Sequence, residues 1–240
     1  MSNTTRPWLS TPLVAIIAVI AVAACTTTPV GPPANAPRLS LGDHWQYRIT
    51  DGLRRGAVSQ LDAEVTSSSG GMATVRLTYT DNSGRFEELK EIDATGGLQA
   101  GSLWREPPRR FTPPARLLAF PLEQGKTWRQ TIDTFRNDTQ LRDAIMIYGN
   151  VQGRSTVAVP AGTFDAIQVY RIVQLDDEQF WRSRTTRRDQ VWYAPEVKGA
   201  VRVVRDAEYI EKGDRKDSAV VRTEYTTTEL VSFRPGKQGA

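Results

Sequence analysis

The chain has one histidine and one cysteine, and these two residues bound the chemistry open to it. Zinc sites built on imidazole and thiolate need several such ligands and are excluded. A Ser-His-Asp triad would have to use His44, and there is no Gly-x-Ser-x-Gly turn to present the serine. His44 stands between Asp43 and Trp45. Neighbouring strand residues face opposite sides, so Asp43 is badly placed to orient the imidazole once a strand has begun. Glu87 and Glu88, Glu91 and Asp93, and Asp176 and Asp177 are paired acids of the kind glycoside hydrolysis uses. That chemistry depends on a spatial carboxylate separation that sequence spacing does not supply. Ser69-Gly70-Gly71 lacks the lysine and helix of a phosphate-cradling loop. The expectation is therefore no catalytic residue, no metal ligand, no cofactor and no enzymatic activity.

The cysteine has a more informative setting. Residues 1–12 carry a single charge, Arg6, and Leu13 to Ala24 contains no polar side chain before Cys25. Twelve helical residues cover about 18 Å against a bilayer core of about 30 Å, which points to a signal peptide rather than a permanent span. Val22-Ala23-Ala24-Cys25 resembles a bacterial lipobox. The resemblance implies cleavage between Ala24 and Cys25, a diacylglyceryl group on the Cys25 thiol and acylation of the freed amine. Ordinary cleavage after Ala24 is the alternative, and it would leave an odd thiol in an exported protein. Two or more acyl chains hold a protein firmly, whereas one gives reversible attachment. Thr26 stands where an Asp would favour inner-membrane retention, so the expected site is the outer membrane, with the body facing the periplasm.

The rest of the chain must be the body that this anchor carries. With 39% hydrophobic and 24% charged residues over 240 positions, wholesale disorder and a multi-spanning membrane protein are both unsuited to it. Pro29, Pro32, Pro33 and Pro37 make residues 25–38 an extended tether. Residues 39–233 then form the β domain, and 234–240 a flexible tail. The dominant period there is two: Ala73, Val75, Leu77 and Tyr79 alternate with Thr74, Arg76, Thr78 and Thr80. Similar runs occur at residues 45–49, 144–148, 155–159, 166–173, 190–193, 200–204 and 219–228. Turn chemistry separates them at Ser69-Gly70-Gly71, Asp81-Asn82-Ser83-Gly84, Thr95-Gly96-Gly97, Pro160-Ala161-Gly162 and Lys212-Gly213-Asp214. The fold class is all-β, a single antiparallel and strongly curved sheet forming a partial barrel or sandwich. Residues 116–124 and 138–143 have room for a helical turn or two. Residues 106–114, with four prolines, are expected as a stiff excursion at the rim.

Leu39-x-x-Gly42-x-x-Trp45 recurs as Leu122-x-x-Gly125-x-x-Trp128, each a turn that delivers Trp45 or Trp128 into a strand. Two further motifs, Val159-Pro160-Ala161-Gly162-Thr163-Phe164 and Trp192-Tyr193-Ala194-Pro195-Glu196-Val197-Lys198-Gly199, resemble the paired signature of TapB-like exported proteins, β-rich proteins of the envelope. Glu196 and Lys198 depart from the family's usual turn. The resemblance implies no catalytic residue. Trp45, Trp128, Phe164, Trp192 and Tyr193 are the candidate ligand or motif positions, with Trp192 and Tyr193 on opposite faces of a strand. Asp176-Asp177-Glu178 followed by Arg182, Arg184, Arg187 and Arg188 predicts pairing across a hairpin, or an anion-binding face. Nucleic acid is excluded as a partner by export. The expected function is a non-catalytic, membrane-anchored carrier or sensor of an apolar or amphipathic lipid-like ligand; the alternative is a scaffold for another envelope protein.

Overall fold

The computed structural model describes residues 31–103, 107–136, 140–213 and 218–237. The expected signal peptide, Ala24 and Cys25 lie outside these residues. Among them, no helix is long and apolar enough to cross a membrane.

Alternation of apolar and polar side chains produces twelve strands: β1 (His44–Asp51), β2 (Ala57–Ser69), β3 (Met72–Asp81), β4 (Gly84–Asp93), β5 (Leu98–Gly101), β6 (Arg109–Ala115), β7 (Thr127–Arg136), β8 (Leu141–Val159), β9 (Gly162–Gln174), β10 (Thr186–Ala194), β11 (Gly199–Ile210) and β12 (Val220–Arg234). They form one antiparallel sheet in the order β6-β5-β4-β3-β2-β1-β12-β11-β10-β9-β8-β7. Each strand lies beside its sequence neighbour, and the β1–β12 ladder wraps the meander round into a nearly closed barrel. The all-β expectation holds, in its barrel form.

The turns fall at two ends. The tether end carries the connections Ser69–Met72, Asp93–Leu98, Ala115–Thr127, Val159–Gly162 and Ala194–Gly199, together with the chain after Arg234. The far end carries Asp51–Ala57, Asp81–Gly84, Gly101–Arg109, Arg136–Leu141, Gln174–Thr186 and Ile210–Val220.

The seam lies between β6 and β7, which share no backbone ladder. Side chains bridge it instead. Gln130 accepts from the Arg116 N–H at 2.8 Å and donates to the Pro114 carbonyl at 2.8 Å, in the manner of a peptide group. Trp128 Nε1 donates to the Arg116 carbonyl at 3.0 Å. Proline lacks a ladder donor and is tolerated at an edge. The Pro-rich segment is accordingly an edge strand in its own right, with Pro113 and Pro114 inside β6, rather than an excursion outside the sheet.

Several expectations change. The runs 144–148 and 155–159 are one strand of 19 residues, β8, interrupted by a bulge between Val151 and Gly153 that breaks the alternation. Residues 116–124 contain no helix, and Leu141 onward is already β8. The strand β4 escapes pattern reading because polar residues occupy its inner face, where Glu88 and Lys90 pair with Leu77 and Val75, whereas β2 and β7 bury Ala63, Val65 and Ile132 in the core. Of the expected tether, the part from Gly31 onward lies on the barrel. Ala34 is buried and exchanges backbone hydrogen bonds with Leu122 at 3.0 and 2.7 Å, and Arg154 donates to the Pro32 carbonyl at 2.9 Å.

Three apolar clusters fill the tether end and the seam. One gathers Trp45, Val65, Val75, Val201 and Leu230. Another lines the seam with Phe111, Ala115, Ile132, Ile145 and Ile147. The third joins Ala34 and Leu122 to Val151, Val169, Val191 and Tyr193. Fully burying a side chain of the Val, Leu or Ile type contributes about 1.5–3 kcal/mol.

Candidate functional site

The two signature motifs meet at the tether end. After Ala194 the chain makes a 3-10 turn at Pro195–Val197, and Lys198 takes a left-handed conformation with φ of 55° before β11 begins. This aims the Lys198 ammonium at Asp43, at 3.0 and 2.8 Å from the two carboxylate oxygens. Asp43 is completely buried and also accepts from the Ser40 and Gly236 N–H groups at 2.7 and 2.8 Å. Two residues on, Trp45 Nε1 donates to the Val197 carbonyl at 2.7 Å. Gly42-Asp43-x-Trp45 and Val197-Lys198 are thus two halves of one latch. His44 lies 3.3 Å from Asp62 on the neighbouring strand, not against Asp43.

The aromatic candidates do not share a site. Trp45 is core, tilted against Phe233 at 5.4 Å, and Phe164 and Trp192 pack on the edge of the same cluster. Arg202 sits over the Trp192 ring at 5.9 Å. Trp128 and Tyr193 belong to the other cluster at this end, with the Phe120 ring edge-on to Tyr193 at 5.3 Å. Burial pushes the Tyr193 phenol up to about 12. Trp192 and Tyr193 do face opposite ways, and both faces of this stretch of sheet are covered. The tip of the β8–β9 hairpin reaches β11 and β12, where Arg202 donates to the Ala158 carbonyl at 2.8 Å and the Ala161 N–H to the Leu230 carbonyl at 3.0 Å.

The middle of the barrel holds a charged network that the sequence did not reveal. Asp189 is fully buried, with Arg171 Nε at 2.7 Å and Arg205 Nε at 3.1 Å from its oxygens, and Arg187 Nε at 3.2 Å. Glu224 approaches Arg205 at 3.6 Å. Arg187 also donates to the Leu103 carbonyl, and Arg171 to the Leu117 carbonyl at 3.1 Å. Burial alone would raise the Asp189 carboxyl, but Arg187, Arg171 and Arg205 outweigh it and hold it well below the ordinary carboxylate range. Burial lowers Arg187 to about 10. Neither group changes protonation near neutral pH, so the network acts as fixed charge rather than as a proton donor or acceptor. Its sequence signal was the alternation Arg187, Asp189, Val191, Tyr193 along one face of β10, hidden because charged residues sat where apolar ones mark a core. The acidic and basic runs pair within the β9–β10 connection, Arg182 with Asp177 at 3.0 Å and Arg184 with Glu178 at 3.3 Å, while Asp176 pairs with Arg109 at 2.7 Å.

A small cleft at the tether end, bounded by Gly31, Leu122, Gln124, Gly153, Arg154 and Ile167, encloses about 10 Å³, the limit for one water. Among the described residues, no three His, Cys, Asp or Glu side chains are grouped to hold a metal ion.

The far end is different in kind. Phe180 and Trp181 on the β9–β10 connection, and Phe135, Leu141, Ile210 and Val220 at the strand ends that flank the two neighbouring connections, are exposed, with Phe180 91% exposed. Phe180 is not on a loose loop. Gln179 and Arg182 exchange backbone hydrogen bonds at 3.1 and 3.3 Å around it, Lys212 N–H donates to the Trp181 carbonyl at 2.7 Å and Ser183 N–H to the Ile210 carbonyl at 2.8 Å. Asp177 accepts from the Thr185 N–H and hydroxyl, each at 2.7 Å. Trp181 stands edge-on to Tyr209 at 5.8 Å, with the Arg182 guanidinium 4.8 Å from the Tyr209 ring centre.

No protein-family model and no curated protein matches the sequence, so the likeness to TapB-like proteins rests on the quoted residues alone. Among solved structures, the chain is similar to a candidate lipoprotein from Parabacteroides distasonis, with a TM-score of 0.49 and 14% identity over 85% of this chain and 100% of that one. A candidate exported protein with a YmcC-like fold from Bacteroides fragilis gives a TM-score of 0.43 and 13% identity over 84% of this chain and 99% of that one. The hypothetical lipoprotein YmcC from Escherichia coli gives 0.39 and 9% over 82% and 86% of the two chains.

Proposed function

We propose that this protein is a lipid-anchored envelope scaffold: Cys25 carries the acyl chains, and the far end of the barrel holds another envelope protein. The observation that carries the reading is Phe180, an almost fully exposed aromatic on a turn hydrogen-bonded from both sides. Rigid exposed aromatics lose little entropy on binding and anchor protein interfaces. The carrier reading needs enclosed apolar room, whereas Arg171, Arg187, Asp189 and Arg205 occupy the barrel's middle. The sequence after the lipobox, with Thr26 in place of Asp, favours the outer membrane.

Two measurements test this. A photo-crosslinking residue at Phe180 in the full-length protein should yield a discrete envelope-protein adduct in living cells, lost when Trp181→Asp is added. Native mass spectrometry that finds a stoichiometric lipid inside the barrel, with no adduct from position 180, would replace the scaffold with a carrier. Cys25→Ser should leave the membrane fraction or stay unprocessed.

A further inference from the structure

We infer that the tether end of the barrel is a headgroup-binding surface that lies flat on an anionic bilayer. The inference rests on the Cys25 anchor proposed above and adds an orientation and a contact chemistry to it.

The first observation is the docked strap. Because Gly31 to Pro37 runs across the tether end, held by the Ala34–Leu122 bridge and by Arg154, only Thr26 to Val30 separates Cys25 from the folded body. Five extended residues span at most about 17 Å. The 13-residue strands β2 and β9 run about 40 Å toward the far end at about 3.3 Å per residue. The acyl chains can therefore bring the tether end to the bilayer while the far end, with Phe180, points into the aqueous compartment.

The second observation is charge. Arg38, Arg116, Lys126, Arg234 and Lys237 cluster around the turns of this end, and Arg38, Arg116, Arg234 and Lys237 are exposed. Among the described residues none of the five makes an ion pair, and Lys126 donates only to the Pro121 carbonyl at 2.9 Å. Among the described residues, the carboxylates interspersed with them that no cation pairs are the exposed Glu123 and Glu196 and the half-buried Asp93, which accepts from Thr95 and Gly97, since Asp43 is buried against Lys198 and the exposed Asp165 is paired with Arg154. Leu41, 58% exposed, projects among these cations as an apolar point. Cations just beside a membrane anchor are the chemistry that anionic phospholipid headgroups select.

The test uses the full-length processed protein, whose lipid-modified Cys25 leaves an introduced thiol as the sole labelling site. Ala94→Cys marks the tether end and Leu53→Cys the far end. Each fluorescently labelled protein is reconstituted into vesicles of phosphatidylethanolamine with phosphatidylglycerol, or of phosphatidylcholine alone, with a quencher on the lipid headgroups. Quenching is expected at position 94 on the anionic vesicles and not at position 53, and it should fall as salt is raised. Reversing Arg38, Arg116, Arg234 and Lys237 to Glu should reduce the contact at position 94 at least about fivefold. If that variant misfolds, the salt titration of the unsubstituted surface carries the test. Stronger quenching at position 53, or contact at position 94 equal on both vesicles and indifferent to salt, overturns the inference. Intact mass showing an unmodified Cys25 removes the anchor itself, a failure distinct from a lipidated protein that sits the other way round.

Discussion

Leu39 to Trp45 and Leu122 to Trp128 build the same local structure in two different places. Gly42 and Gly125 have φ of 83° and 82°, a region only glycine enters at little cost. Asp43 N–H donates to Ser40 and Lys126 N–H to Glu123, at 2.9 and 3.0 Å. Gly42 and Asp43 exchange hydrogen bonds with Val65 on β2, just as Gly125 and Lys126 do with Val151 on β8. Each turn opens a run of six strands, β1 to β6 and β7 to β12. Their surroundings differ. β1 has ladders on both sides, and Asp43 is sealed against Lys198. β7 has a ladder on one side only and closes its other edge with Trp128 and Gln130. A local motif dictates the turn; its neighbours decide whether that turn is a buried latch or an edge.

The second half also carries the buried network, and breaking it should have the largest effect. Asp189→Ala leaves Arg171, Arg187 and Arg205 facing one another without their shared acid, with an expected loss of about 3–5 kcal/mol in urea unfolding. The sign of the pH dependence follows from the depressed carboxyl. The stabilisation is fully present above the ordinary carboxylate range and is lost as pH falls toward the folded-state value. Asp189→Asn should flatten the acid limb of stability against pH, and an unchanged acid limb would mean other carboxylates control it.

Asp43→Ala is the next most damaging change, at about 3 kcal/mol, because it strands Lys198 and two backbone N–H groups. Its counterpart Lys126→Ala should stay within about 0.5 kcal/mol. Equal effects in denaturation would erase the contrast between latch and edge.

The residue facing each tryptophan differs too, being Ala63 opposite Trp45 and Gly149 opposite Trp128. A methyl group at Gly149 would overlap the Trp128 ring, so Gly149→Ala should cost about 1–3 kcal/mol by overpacking. A neutral thermal shift would show that the ring can move aside. Among the destabilising changes the smallest is Gln130→Leu, at about 1–2 kcal/mol for its two hydrogen bonds across the seam. Its sharper readout is faster amide exchange at Arg116, and unchanged protection there would assign closure to the apolar cluster of Phe111, Ala115 and Ile132 alone.

Alternation in β3, β9 and β11 was legible because one face is apolar, and the turns at Ser69-Gly70-Gly71 and Pro160-Ala161-Gly162 were legible from backbone chemistry. Thr186–Arg188 in β10, and all of β4, were not, since inward-facing Arg187, Asp189, Glu88 and Lys90 read as solvent-facing residues. Lys198 was singled out as a departure from a family turn, and only the fold shows its partner 155 residues away.

By itself the sequence determined the period-two pattern, the glycine turns, the lipobox-like approach to Cys25 and the scarcity of groups able to do covalent or metal chemistry, all of which depend on residues close together in the chain. Tertiary structure decided which charges are buried, where the seam falls, that Gly31 to Pro37 is a strap rather than a free leash, and that Phe180, Trp181, Ile210 and Val220 stand exposed together at the far end. Those properties are set by contacts between distant segments, where the free energy of a charge or an apolar group depends on what covers it rather than on its neighbours in sequence.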